Sequence, residues 1–585
     1  MEQKNKQSFL HGALILALST VIVKLVGACF KLPLANIIGN TGMGYFNTAY
    51  NLFNVVYALA VAGFPVAVAK MVSENVALKK YKDVKRIYST TSIVFVITGL
   101  VGFLVMTLGA SLYCEAVNNP NAKYTIIALA PTVFFACLMS TYRGYYEGLK
   151  NMYPTAISQV IEAVTKLVAG LGFSSLFLHL SQNSYQNTGK VFWVEVADKT
   201  AADTMSMAFA AAGAVLGVSV STVAGALFLW LRHKIKGDGI TKEDILVSPD
   251  ATRTNEILQS LIKIAVPVCL GAISISITSF VDGISVMNRL EQALTNGADI
   301  IYNEYSSVLA GKPLADIPNF LYGAYGNAQT LFNLIPAITT TFGISALPAI
   351  ASAWALKDMD EMKKNTEAVL RITSLLAIPA GIGMAVLAKP IIELIYYKIA
   401  DEALIAVPIL QVLGVAVLFV SLMSPINSML QAVGRADIPV KLMLIGGALK
   451  LAVNYVFVAI PSLNIKAAAW GTLVCYVFIA VSSVAVLLKN TKVKVNFTGV
   501  FLKPLFCAIL CGVGAFVGYS LTNKLISLES GMLQNAVSTV VGIGLAVIIY
   551  VISLFCTKTI TKNDILMLPK GENLLKVLEK KHIIG

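Results

Sequence analysis

The sequence predicts an all-α polytopic membrane protein with about 14 transmembrane helices, arranged as two pseudo-symmetric six-helix lobes plus two C-terminal helices. Composition is the first reason. Of the 585 residues, 57% are hydrophobic and 13% are charged, whereas soluble domains carry roughly 25% charged residues. The mean hydropathy is +0.75. The second reason is that apolar segments of about 20 residues, the length that spans a bilayer, follow one another along the chain. The third is an internal repeat.

The predicted spans divide the chain into two lobes and a C-terminal part. We expect an N-terminal lobe at 1–237 (helices 1–6), a cytoplasmic linker at 238–259, a C-terminal lobe at 260–490 (helices 7–12), and helices 13–14 with a basic cytoplasmic tail at 491–585. The spans are centred, in order, near 15–30, 45–67, 90–112, 124–139, 156–178, 207–229, 264–285, 321–348, 369–387, 404–423, 442–460, 467–488, 500–521 and 536–555.

The basic residues predict the orientation of the chain in the membrane. The formal net charge is +14, but the Lys and Arg residues stand in short blocks between apolar segments, which favours orientation over nucleic-acid binding. Alternate loops collect about 28 Lys and Arg and the opposite loops about 10, a bias that marks cytoplasmic loops. We therefore expect both termini in the cytoplasm, and we expect the first helix to be retained rather than cleaved as a signal.

The sequence carries no motif for a metal, a nucleotide or a redox centre. The eight cysteines lack C-x-x-C spacing and the four histidines are scattered, so the cysteines are interpreted as core residues, and no cofactor or metal is expected. No phosphate-binding loop of the form G-x-x-x-x-G-K-[ST] occurs. The acidic pair Asp358 and Asp360 lies in a short Lys-rich loop without a nucleotide-binding domain, which disfavours a glycosyltransferase. No enzymatic activity is predicted.

Similar motifs recur in the two halves of the chain. YNLFNVVYALAVAGFPVAVA at 50–69 is similar to QTLFNLIPAITTTFGISALPAIA at 329–351, and GYYEGLKNMYPTAISQVIEAVTKLVAG at 144–170 is similar to SMLQAVGRADIPVKLMLIGGALKLAVN at 428–454. The matching order favours a true repeat over chance similarity between apolar segments. Because six spans preserve orientation, we expect parallel repeats with a central site between them.

Lys24 is the first candidate binding residue, because it interrupts the apolar segment ALSTVIVKLVGACFKLPL at 17–34. An ammonium group near the bilayer centre costs roughly 2.5–3.5 kcal/mol on insertion scales, so it normally faces a protein interior or a water-filled cavity. Asp282 reaches a similar depth in the seventh helix, and one interpretation is an ion pair or a shared water network between the two. A second interpretation is that Lys24 extends to the outer interface or only joins two helices.

Two further sets of polar residues lie within the predicted spans. Glu162 and Lys166 are four residues apart on the fifth helix and suit a structural pair, while Glu162 is also a candidate proton or cation site. Amides on the second and eighth helices suit either hydrogen bonds to sugar hydroxyls or contacts between helices. These amides are Asn47, Asn51, Asn54, Asn327, Gln329 and Asn333.

Four motifs resemble one family of membrane transporters. They are K-x-x-G at 24–27, GYFNTAYNLF at 44–53, RGYYEGLKNMYP at 143–154 and GISALPAIA at 343–351. In this order, and over essentially the whole chain, they resemble the polysaccharide transporter branch of the multidrug/oligosaccharidyl-lipid/polysaccharide exporter superfamily, including the stage V sporulation protein B group and the MurJ-type lipid II flippases. The resemblance implies two lobes around a central cavity, alternating access, and a helix pair 13–14 that offers a groove for a polyprenyl tail.

The resemblance also assigns residues. MurJ-type transporters place an arginine at the position that matches Lys24 and a second basic residue nearby, a role that Lys31 fits one residue out of register. At the positions that match their further arginines, this sequence has Tyr57 or Ala58 and Asn327. The cavity is therefore expected to be less basic than in those transporters.

Together these observations predict a flippase of the bacterial cell membrane. It would move an undecaprenyl-pyrophosphate-linked saccharide, with the peptidoglycan precursor lipid II as first candidate, from the inner to the outer leaflet, with Lys24 on the pyrophosphate. Alternatives are an exopolysaccharide or teichoic-type lipid-linked oligosaccharide, or a drug/cation antiporter of the same fold. Expected partners are the glycan lipid, membrane lipids and a coupling cation or the membrane potential. A monomer is expected, and both a vegetative and a sporulation role stay open.

Overall fold

Helices account for nearly all of the described chain in the computed structural model. It describes the backbone of residues 9–435, 437–526, 530–557 and 559, and the side chains of these residues except at 9–14, 17, 18, 21, 62, 267, 270–275, 277, 278, 344, 345 and 348. The predicted cytoplasmic tail beyond residue 559 lies outside the described residues. Two units are present: one comprises the chain up to Thr295 with Leu309–Gly326, the other Asn296–Val308 with the chain from Asn327 onwards.

The first unit consists of long helices and one short hairpin. Its elements are α1 (Phe9–Tyr57), α2 (Phe64–Ala77), α3 (Tyr81–Ala116), α4 (Ala122–Leu129), α5 (Pro131–Gly148), α6 (Tyr153–Thr188), β1 (Lys190–Val191), β2 (Val194–Glu195), α7 (Lys199–Lys236), α8 (Lys242–Val247) and most of α9 (Thr254–Glu304). The two strands pair antiparallel, with Lys190 opposite Glu195. A π-helical turn at Ala58–Ala62 joins α1 to α2.

The second unit contains most of the remaining helices. The short helix α10 (Ser306–Leu309) and the longer α11 (Ile317–Phe332) each contribute residues to both units. The later helices are α12 (Leu334–Ala355), α13 (Met359–Val386), α14 (Ala388–Ile395), α15 (Ala400–Ala403), α16 (Ala406–Ala432), α17 (Asp437–Phe457), α18 (Lys466–Thr491), α19 (Lys503–Leu525) and α20 (Gly531–Cys556).

The helices follow the predicted spans in type and order. Among the described residues, eleven helices are long and apolar enough to cross a membrane. The first of these, Ile22–Ala77, covers two predicted spans, because α1 continues through a bend at Gly39, where φ is 61° and ψ is −173°. Glycine adopts a positive φ without the steric cost of a Cβ. The all-helical membrane fold is confirmed, and the total of fourteen spans stays a prediction.

The seventh predicted span belongs to the first unit. The Cys269 thiol on α9 donates to the carbonyl of Leu59 at 3.5 Å. A Cβ added to Gly63 would overlap the carbonyl oxygen of Ala265 on the same helix. This close packing places most of α9 with α1 and α2 in the first unit, and the six-helix lobes stay a prediction. The repeat itself stays a prediction.

Glycine lets α6 and α7 pack backbone against backbone. A Cβ on Gly217 of α7 would overlap the backbone of Gly170 in α6, and one on Gly213 would lie 2.6 Å from the carbonyl oxygen of Phe173. Small residues at an interface are the usual means by which membrane helices approach closely. α6 also packs against α1 and α5, and these three helices carry the candidate site.

The predicted linker is held against α3, and we call residues 237–253 the linker strap. The Asp238 carboxylate forms an ion pair with Lys85. The Asp83 carboxylate accepts two hydrogen bonds from Thr252, from the backbone N–H at 2.6 Å and from the hydroxyl at 3.0 Å. The strap is therefore fixed at both ends to the first turns of α3.

Two sequence features have plain structural explanations. Asp358 caps α13, because its carboxylate accepts a hydrogen bond from the backbone N–H of Glu361 at 2.9 Å, as N-cap residues do. All eight cysteines are free, six of them buried, whereas Cys29 and Cys556 are exposed. The interpretation of the cysteines as core residues is thus wrong for these two, since an apolar helix face that meets lipid needs no burial in protein.

Candidate functional site

Helices α1, α5 and α6 border a partly open cavity of about 310 Å³ in the first unit, and we call it the basic cavity. One water needs roughly 10–15 Å³ of such space, so the basic cavity has room for a hydrated polar group. Its lining residues are Thr20, Val23, Lys24, Gly27, Arg143, Gln159, Glu162, Ala163 and Lys166. Three residues that the sequence singled out, Lys24, Glu162 and Lys166, are brought together here.

Charge distinguishes the basic cavity. Three lining side chains are basic and Glu162 is the acidic one, which gives the lining a formal charge of +2. A larger cavity of about 650 Å³ borders α2, α3 and α9, and among its lining residues Lys70 and Lys263 are outnumbered by the acids Glu74, Asp83 and Glu256. Of these two cavities, the smaller one is therefore the one that suits an anion.

Arg143 and Glu162 form an ion pair between α5 and α6. Nη2 of Arg143 lies 3.0 Å from Oε2 of Glu162, and its Nε donates to the Ser158 hydroxyl at 3.0 Å. The Arg143 side chain is 14% exposed and the Glu162 side chain 30%. These two partners fix the plane of the guanidinium, which is a rigid fork of five N–H donors.

Lys166 has a partner other than the one its spacing suggested. Its Nζ donates to the Tyr50 hydroxyl at 3.2 Å and lies 5.1 Å from the ring centre of Phe30. Glu162 is paired with Arg143 instead, although Glu162 and Lys166 are one helical turn apart. The physical reason is that the guanidinium offers the carboxylate a charge-assisted hydrogen bond, while aromatic faces stabilise the ammonium.

Lys31 lies beside the basic cavity rather than in its lining. Its Nζ is 5.6 Å from the ring centre of Phe46 and 5.9 Å from that of Tyr50. The Phe46 and Tyr50 rings stack at 4.5 Å. Lys31 and Lys166 therefore contact the same Tyr50 ring, and each cation–π contact contributes about 0.5–2 kcal/mol.

Lys24 is exposed and lines the basic cavity from α1. This is the environment expected of an ammonium group within an apolar span. The hydroxyl of Ser19 donates to the side-chain carbonyl of Gln159 at 2.9 Å, and this bond joins α1 to α6 next to Lys24. The contact of Lys24 with a pyrophosphate and its pairing with Asp282 both stay predictions.

Asp282 and Asn51 are buried among other side chains of the first unit. The Asn51 amide donates to the Tyr322 hydroxyl at 2.7 Å, which joins α1 to α11. Asp282 lies close enough to Tyr322 to interact with it electrostatically. For Asn51 the structure thus shows a contact between helices, one of the two roles that amides were expected to play.

The remaining amides have diverse environments. Asn47 and Asn54 are half-buried on α1. In the second unit Asn327 is buried, Gln329 is half-buried and Asn333 is exposed. A joint role of these side chains in sugar binding stays a prediction.

Arg143 is the charged residue in the lining of the basic cavity that the sequence analysis did not single out. It lies near the C-terminal end of α5, where a basic residue before a predicted cytoplasmic loop looks like an orientation signal. Two features could have indicated its role: Arg143 lies inside the helix and not in the loop, and it is the first residue of the RGYYEGLKNMYP motif. Tyr50 and Phe30 gave no signal, because aromatic residues are ordinary in apolar helices.

Two family models match this chain. The family model described as polysaccharide biosynthesis protein matches residues 9–354, which is more than half of the chain. The chain belongs to the polysaccharide biosynthesis protein family. A second model, lipid II flippase MurJ, matches residues 321–533. Both matches confirm the family resemblance that the sequence motifs indicated.

Relatives of this family member are known along almost its whole length. Stage V sporulation protein B of Bacillus subtilis is 23% identical, with 96% of this chain and 98% of that protein covered. Lipid II flippase MurJ of the same organism is also 23% identical, with 92% and 94% covered. Such identity is too low to transfer lipid II specificity to this chain.

Solved structures show the same fold. Lipid II flippase MurJ in an inward closed conformation matches with a TM-score of 0.60 and 13% identity, covering 92% of this chain and 99% of that one. An inward-facing multidrug resistance MATE family transporter of the MOP superfamily matches with a TM-score of 0.58 and 16% identity, covering 81% and 98%. The second family model and these two structures are those of flippases and transporters, which agrees with the prediction that the chain is not an enzyme.

Proposed function

We propose that this member of the polysaccharide biosynthesis protein family is a flippase for an undecaprenyl-pyrophosphate-linked saccharide, with lipid II as the first candidate. It would move the headgroup from the inner to the outer leaflet of the bacterial cell membrane by alternating access, with both termini in the cytoplasm. The observation that carries the proposal is the basic cavity with its formal lining charge of +2. The matches to polysaccharide biosynthesis and lipid II flippase models support a lipid-linked glycan as substrate class.

The charge of the headgroup fits the lining of the basic cavity. A disubstituted pyrophosphate carries two negative charges, one on each phosphate, and the lining carries two positive charges in excess. Opposite charges attract more strongly in a cavity of lowered dielectric than in water. We assign the pyrophosphate contact to Lys24, supported by the planar N–H fork of Arg143. Outward movement of two negative charges would release about 4.6 kcal/mol per 100 mV of inside-negative potential.

The alternatives differ in charge or in glycan. A cationic drug would meet a lining with excess positive charge, which disfavours the antiporter. An exopolysaccharide or teichoic-type lipid carries the same pyrophosphate, so the basic cavity suits it equally well.

The test uses cells depleted of their own lipid II flippase and supplied with this protein. The measured quantity is the fraction of lipid II accessible at the outer leaflet. We expect this protein to restore it. A well-expressed protein that leaves lipid II inside would contradict lipid II as substrate, and the same assay in cells blocked in exopolysaccharide precursor export then tests the other glycan.

A further inference from the structure

Glu162 is the acid among the residues that line the basic cavity, and its presence there needs a reason. The other charged lining residues are Lys24, Arg143 and Lys166, so a neutral residue at position 162 would raise the formal charge of the lining from +2 to +3. A site selected only for tight anion binding would gain from that change. By charge alone, Glu162 opposes the binding of anions in the basic cavity.

The negative charge of Glu162 is held in place. Arg143, its ion-pair partner at 3.0 Å, is itself oriented by Ser158. Lys166, one turn along the same helix, is bound to Tyr50 instead. The Glu162 side chain lines the basic cavity and is 30% exposed, so a ligand in the cavity can approach its carboxylate, and the partial burial limits screening by water.

Lipid pyrophosphates come in two forms that differ by about one charge. While the saccharide is attached, both phosphates are substituted and the headgroup carries two charges. A glycosyl transfer that consumes the saccharide leaves a monosubstituted pyrophosphate, whose terminal phosphate carries roughly −1.5 to −2 at neutral pH. The spent form thus exceeds the positive charge of the lining, while the loaded form matches it.

We propose that Glu162 is a specificity-determining residue, which restricts the basic cavity to the disubstituted, saccharide-loaded pyrophosphate and repels the monosubstituted form that remains after glycosyl transfer. The inference rests on the proposed function and deepens it. Selectivity of this kind uses a repulsive element against the wrong ligand at some expense of affinity for the right one. It places the protein before a glycosyl-transfer reaction and keeps the spent carrier from re-entering the site.

The experiment compares two probes that differ in one methyl group and one charge: farnesyl pyrophosphate and its terminal methyl ester. Their dissociation constants are measured on the purified full-length protein. We expect the parent to bind the methyl ester about tenfold more tightly than the uncapped probe, because a third charge meets Glu162. In Glu162→Gln the ratio should move about tenfold towards the uncapped probe, whereas Glu162→Asp should keep the parent's preference.

Glu74→Gln is the matched control, since Glu74 is an exposed carboxylate of α2 outside the basic cavity. It should leave the ratio unchanged. A parent that binds both probes equally overturns the inference whether or not any variant folds, and so does a ratio that Glu162→Gln leaves unmoved. Both results leave the proposed function standing. A parent that binds neither probe overturns the proposed function and this inference together.

Discussion

At the scale of single residues, Arg143 and Glu162 form an ion pair. The contribution of this pair should be visible in the free energy of unfolding of variants. Arg143→Ala leaves the Glu162 carboxylate half-buried without its partner at 3.0 Å. We expect a loss of about 1–3 kcal/mol, less than for a fully buried pair because Glu162 keeps some access to water. Adding Glu162→Gln to this variant should recover part of the loss, because no charge is then left uncompensated.

Thermal unfolding of the purified variants checks this. The single variants and the double variant form a cycle that isolates the interaction between the two side chains. A loss in the double variant equal to the sum of the losses in Arg143→Ala and Glu162→Gln would show that the pair contributes nothing beyond packing.

Sequence reasoning found the residues of the site that carry charge within an apolar segment. Lys24, Glu162 and Lys166 were recognised because a charge in a span is expensive and needs an explanation. It did not assign the partners, since spacing along one helix favoured Glu162 with Lys166 and carries no information about Arg143 on α5. The contact of Lys166 with Tyr50 was not predicted for the same reason, because Tyr50 lies on a different helix, α1.

At the scale of elements, the linker strap should depend on Asp238. Burial opposes ionisation of this carboxyl, but hydrogen bonds from Lys85, Tyr145 and the backbone of Ile240 outweigh burial and lower its pKa below the usual value. A lowered folded-state pKa gives stability that is present above the usual pKa near 3.8 and is lost as the pH falls through the folded-state value. Asp238→Asn should therefore reduce the melting temperature at neutral pH, and the difference from the parent should shrink below that range.

Asp250→Asn is the control for the strap. Asp250 also forms an ion pair, with Lys82 at 3.1 Å, but its side chain is 103% exposed, whereas that of Asp238 is 5% exposed. Exposed pairs contribute little because water and salt screen them. Tryptic cleavage in the strap should accelerate in Asp238→Asn and stay unchanged in Asp250→Asn, and equal acceleration in both would contradict the assigned role of burial.

The α6–α7 interface makes a second prediction at this scale. Gly217→Ala places a Cβ where the backbone of Gly170 lies, and overpacking of this kind costs about 1–3 kcal/mol. Gly172→Ala on the same pair of helices should be neutral, since nothing lies within 4 Å of its Cβ position. The melting temperatures of both variants test this difference. A Gly217→Ala variant as stable as the parent would mean that the two helices can move apart at little cost.

Sequence periodicity and length predicted the helices but not where they bend or continue. Hydropathy indicates which residues avoid water, but it does not indicate where a helix ends. Helix α1 continues through Gly39, and helix α9 continues to Glu304, each beyond its apolar segment. The bend at Gly39 requires a positive φ, and a glycine within a span does not reveal in advance whether it will adopt one. Close glycine contacts between helices were unpredictable for the same reason.

At the scale of the whole molecule, composition and the order of motifs sufficed for the class and the family. The fold likeness at 13% identity to lipid II flippase MurJ shows why, because a membrane fold tolerates wide substitution as long as apolar segments keep their length and order. The unit boundaries were not predicted, since the placement of α9 depends on contacts such as that of Cys269 with Leu59. Under the proposed function, substrate choice would likewise depend on side chains brought together in space, here the charges that line the basic cavity.

Transbilayer movement of lipid II, measured in vesicles that contain only this purified protein, tests whether the basic cavity binds the pyrophosphate of the substrate. We expect transport by the parent and by Lys24→Arg, and loss of most transport in Lys24→Ala. Lys389→Ala, which removes an exposed lysine outside the basic cavity, should cause no loss. Transport by Lys24→Ala at the parent's rate, with equal amounts of folded protein in the vesicles, would contradict the claim that the basic cavity binds the pyrophosphate through Lys24.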